Sequence, residues 1–181
     1  VLKVKAVESV ALSTVSSPVE IYKNGLIDMY AVNKVLQLAA DNIKAIDGIP
    51  VSVMANIVGS LHYLGERTLP YYLINDVDIL LLYKVQDDHG RITEDDILER
   101  LTEEMNKYLP SEDDFKRVHY FPWSGFAMTG LADPFYVGVL ELKGEEDPAH
   151  SLDYAMLKVD PEDDMEIKSA ERNWASKTGL L

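Results

Sequence analysis

The stretch Val58–Val85, VGSLHYLGERTLPYYLINDVDILLLYKV, decides the fold. From Tyr71 to Val85 the odd positions are Tyr71, Leu73, Asn75, Val77, Ile79, Leu81, Tyr83 and Val85. Side chains alternate across a strand, so this pattern predicts one long strand whose odd set faces a core. Asp76 and Asp78 are even positions and share the opposite face. Upstream, Val51, Val53, Ala55 and Ile57 alternate with Ser52, Met54 and Asn56, which predicts a second strand ending at the Gly59–Ser60 pair. The two strands are expected as antiparallel neighbours, with Gly59–Pro70 as an exposed loop between them. The aspartates then either line a wet face or form a site with Gly59–Ser60.

Working outward, helical spacing recurs at Met29, Val32, Val35, Leu36, Ala39, Ala40 and Ile43. Gly48 and Pro50 are its stop signals. Thr93 predicts the cap of a second helix, with Asp96 in the capping-box position where Glu or Gln is usual. Ile97, Leu98, Leu101, Met105 and Tyr108 make the buried stripe of that helix, and Pro110 ends it. Val118 and Tyr120 open a strand, Phe135–Lys143 is another, and Leu152–Val159 is a last one. Val1–Leu12 alternates weakly and reads as an N-terminal strand. From Asp160 the chain turns polar and loses periodicity. The prediction is an α+β fold: a mainly antiparallel sheet with two packed helices, plus N- and C-terminal extensions. Residues 1–159 are expected as one domain and 160–181 as a C-terminal extension or arm.

The chain has 181 residues, 47% of them hydrophobic and 27% charged, which is a globular composition. No apolar run approaches the roughly 20 residues of a membrane span, and Val1–Val10 lacks the layout of a signal peptide. The absence of Cys excludes disulfides, zinc-thiolate sites and thiol nucleophiles. Lys and Arg total 17 against 31 Asp and Glu, a net charge of −14. Tight nucleic-acid binding needs a basic track to neutralise phosphates, and no Lys/Arg cluster is present. His62, His89, His119 and His150 are scattered without metal-ligand spacing, and Trp123 reads as core.

Two family resemblances follow from these segments. GIPVSVMANIV, YYLINDVDILLLYKV, ITEDDILERLTEEMNKYL and ADPFYVGVLELKG occur in an order that resembles the tail terminator, or tail completion, proteins of tailed phages. That resemblance covers Leu26 to Gly144 and implies a ring-forming virion protein, assembled in the host cytoplasm, that joins tail tube to head. Its partners would be itself and neighbouring assembly proteins, with no sequence-specific nucleic acid, no membrane, no cofactor and no catalytic residue. Trp174, Leu180 and Leu181 in the C-terminal arm are its expected interface residues, and Asp76 and Asp78 its acidic wet face. This is the preferred expectation.

The alternative rests on Val58-Gly59-Ser60 and Asp76-Val77-Asp78, which resemble the Gly-Ser and Asp-x-Asp elements of the nucleotidyltransferase superfamily. Such chemistry needs carboxylates on one face to hold Mg²⁺ ions against the phosphates. This resemblance implies a third carboxylate from a later strand, and Glu141 is the candidate. Fifteen residues separate Ser60 from Asp76, a long gap for that family.

Overall fold

Asp28 starts the first helix. Its Oδ1 accepts the backbone N–H groups of Tyr30 at 3.0 Å and Ala31 at 3.1 Å, two of the donors a helix start leaves orphaned. Helix α1 runs Met29–Asn42 and buries Met29, Val32, Val35, Leu36, Ala39 and Ala40, the stripe predicted from spacing. The computed structural model describes residues 18–59, 68–70, 76–86, 89–109, 115–121, 135–142 and 149–177. The expected N-terminal strand lies outside them.

The strands in chain order are β1 (Tyr22–Lys23), β2 (Leu26–Asp28), β3 (Ala45–Ile46), β4 (Ile49–Ile57), β5 (Thr68–Pro70), β6 (Asp76–Val85), β7 (Phe115–Phe121), β8 (Phe135–Leu142) and β9 (Ala149–Lys158). Helix α2 spans Glu94–Tyr108 and α3 spans Met165–Lys177. A small sheet has the order β1-β2-β5, and the main sheet the order β3-β4-β6-β9-β8-β7. The fold is α+β and mostly antiparallel. β4 and β6 are antiparallel neighbours in a register from Val51↔Val85 to Ile57↔Ile79. β9 returns between β6 and β8, parallel to β6.

Helices α1 and α2 cover one face of the main sheet. Val77, Ile79, Leu81, Tyr83 and Val85 join Leu36, Leu101 and Met105 in a single core, as the alternation of β6 requires. From β9, Leu152, Tyr154 and Met156 enter the same core. The capping box of α2 forms with Asp in place of Glu: Asp96 N–H donates to Thr93 Oγ1 at 3.2 Å, and Thr93 N–H donates to Asp96 Oδ2 at 2.7 Å. Thr93→Ala is therefore expected to cost about 1 kcal/mol, read as a melting temperature lower by roughly 2–4 °C.

The opposite face is not wet along its whole length. Leu80 and Leu82 are buried there with Val159, and Met54, Val58, Ala155, Leu157 and Met165 pack on them. Met165 belongs to α3, which lies in the segment where the sequence shows no periodicity. The helix forms because Asp164 Oδ1 accepts the N–H groups of Glu166 at 2.8 Å and Ile167 at 3.2 Å. Its apolar stripe is thin: Met165 packs on the sheet, whereas Ile167 is 59% exposed. That is why α3 left so weak a mark on the sequence. Among the described residues no helix is long and apolar enough to cross a membrane.

Candidate functional site

The second face of the sheet divides into two parts. Its apolar part is the row of Leu80 beside Ala155 and of Leu82 beside Leu157. One row earlier, at the start of β6, the register sets Asp78 directly beside Asp153 of β9. Parallel neighbours lie about 4.8 Å apart and present partnered side chains on one face. Both aspartates are half-buried. The register thus brings two carboxylates together at one place on this face.

The end of β4 closes over this pair. Val58 N–H donates to the Asp78 carbonyl at 2.8 Å, which fixes the strand end to β6 at that residue. Gly59 follows with φ +75°, a conformation that glycine adopts without steric cost. Its Cα lies against the Asp78 carboxyl: a Cβ added there would overlap Oδ2 and sit 3.1 Å from both Cβ and Cγ of Asp78. Gly59 of the Gly-Ser element is thus in direct contact with Asp78, the second aspartate of Asp-x-Asp. Ser60 lies outside the described residues.

Asp76 begins β6 and pairs with Ser151, two positions from Asp78 and on the same alternation. Glu141 is in β8, paired with Ala149 and with Lys116, and β9 intervenes between it and β6. Asp153 was not singled out from sequence, although one signal was present. It stands between Leu152 and Tyr154, both core residues, just as Asp78 stands between Val77 and Ile79. What the alternation does not carry is the partner of the last strand.

The other candidate residues that the structure describes lie elsewhere in the fold. His89 occupies a turn with φ 47°. His119 pairs with Val139, and His150 with Leu140. Trp174 falls on α3; His62, Trp123, Leu180 and Leu181 lie outside the described residues. Tyr154 adjoins Asp153 in sequence but faces the core, where its hydroxyl donates to Met105 Sδ at 3.8 Å. Burial pushes that phenol well above its ordinary value. An open cleft of about 340 Å³ beside the small sheet is lined by Glu20, Tyr22, Lys23, Leu26, Asp28 and Thr68 and contains neither Asp78 nor Asp153. Of its two carboxylates, Asp28 is the one that caps α1 and Glu20 is ion-paired with Lys23.

Among the described residues no three His, Cys, Asp or Glu side chains are grouped to hold a metal ion. Asp78 and Asp153 supply two hard oxygen donors side by side, the ligand type that Mg²⁺ takes, with Asp76 next along the strand. No family model matches the chain, and no curated protein matches it.

Proposed function

We propose that the chain is a divalent-cation-dependent nucleotidyltransferase whose central carboxylates are Asp78 and Asp153. The observation that carries this reading is the seating of Gly59 on the Asp78 carboxyl, with Asp153 paired to Asp78 on the other side. Strand pairing alone does not call for a positive-φ glycine against an acidic side chain, nor for two aspartates in register. When bound, Mg²⁺ would neutralise the phosphate oxygens of a nucleoside triphosphate and align them for in-line attack. Asp78 and Asp153 would hold that ion from adjacent strands, and Gly59 leaves the space beside Asp78 free of a side chain. The net charge of −14 argues against a polynucleotide as acceptor.

The assembly reading, a ring-forming tail terminator or neck connector, draws on element order and acidity. It requires no meeting of Gly59, Asp78 and Asp153, and for that reason it takes second place. Calorimetry with Mg²⁺ and each ribonucleoside triphosphate, run beside light scattering, separates the two. The expected result is Mg²⁺-dependent nucleotide binding in the range of about 1 μM to 1 mM that working enzymes use. Absence of any binding heat, together with a ring-sized particle, would replace this proposal by the assembly one.

A further inference from the structure

Asn33 stands in the second turn of α1, a place where Asn is a poor helix former. Its side chain is used elsewhere: Oδ1 accepts the backbone N–H of Ile57 at 2.9 Å, across 24 residues of sequence. Val58 N–H points toward β6, so the N–H of Ile57 points to the far edge of β4. Strand β3 pairs with that edge at Ile49 and Pro50, and Val51 N–H donates to the Lys44 carbonyl just beyond. Helix α1 takes over where β3 stops, through Asn33 and, one turn on, through Gln37, whose Nε2 donates to Asn56 Oδ1 at 2.7 Å.

Three consecutive residues are therefore held in turn. Ile57 is tied to α1, Val58 to the Asp78 carbonyl, and Gly59 rests on the Asp78 carboxyl. We infer that Asn33 is a positioning residue: it fixes the end of β4 so that the Gly59 turn stays seated on Asp78. This inference rests on the proposed nucleotidyl-transfer site. Asn33 touches none of its carboxylates and acts through Ile57.

The test uses the full chain in four forms: wild type, Asn33→Ala, Asn33→Asp and Gln37→Ala. Amide hydrogen exchange, thermal melting and calorimetric binding of Mg–ATP and the other three Mg–ribonucleoside triphosphates are measured on each. Asn33→Ala is expected to speed exchange at Ile57 and Gly59 and to weaken Mg–nucleotide binding about tenfold, the scale of one net hydrogen bond. Asn33→Asp keeps the acceptor oxygen and restores both. Gln37→Ala, which removes the neighbouring exposed bond, leaves the affinity unchanged. If Asn33→Ala only lowers the melting temperature while the folded protein binds nucleotide as wild type does, the residue is structural and the inference is wrong. If wild type binds no Mg–nucleotide, the site itself is wrong and the role of Asn33 goes with it. An Asn33→Ala protein too unstable to assay, with Asn33→Asp folded but equally unable to bind, also overturns the positioning role.

Discussion

Asp78→Asn is expected to lower kcat/KM for nucleotidyl transfer on the order of a hundredfold or more, the scale seen when one preorganised charge-stabilising group is removed. Asn keeps the shape of the side chain and loses the charge that holds a hard cation. Stability should stay within about 1 kcal/mol of wild type, because the substitution keeps the shape of a half-buried side chain. Asp153→Asn is expected to give the same result from the other strand, since it is the residue in register with Asp78. Glu141→Gln, in β8 with β9 between it and β6, should leave transfer intact. Steady-state kinetics and thermal melting of the three variants decide the matter. Transfer that survives in both Asp78→Asn and Asp153→Asn would show the carboxylate row to be a plain surface.

The contrast between Glu141 and Asp153 marks where the sequence stops being sufficient. Alternation placed Val77, Ile79, Leu81, Tyr83 and Val85 on the main-core side, and it paired β4 with β6, because a one-residue slip would move that apolar set off the core. Helices α1 and α2 were equally plain, each carrying a stripe of apolar residues and a side-chain cap. Strand order is a different kind of information. Nothing in Leu152–Val159 says that it inserts between β6 and β8, parallel to the first and antiparallel to the second. That insertion alone sets Asp153 beside Asp78. Helix α3 was missed for a related reason: the surface on which its Met165 packs, Leu80 and Leu82, belongs to a strand already explained by its other face. The small sheet β1-β2-β5 was hidden by strands of two or three residues, too short for a period to show.

The second large effect belongs to Gly59→Ala. A left-handed backbone costs an L-residue roughly 1–2 kcal/mol, and Gly59 has φ +75°. Gly48, with φ +77° and nothing within 4 Å of an added Cβ, would meet the same backbone cost and no other. The two substitutions therefore form a matched pair. Gly48→Ala should lower the melting temperature and leave Mg–nucleotide binding unchanged. Gly59→Ala should lower it at least as much and abolish binding, because its Cβ would overlap Asp78 Oδ2. Either the carboxyl turns away from Asp153 or the end of β4 lifts from β6 and breaks the bond from Val58 N–H to the Asp78 carbonyl. Both routes separate the groups that the proposed site needs together. Calorimetry and melting on the pair measure the difference, with Gly48→Ala subtracting the backbone cost. Equal behaviour of the two variants, in binding as well as in stability, would mean that the seating of Gly59 on Asp78 carries no function.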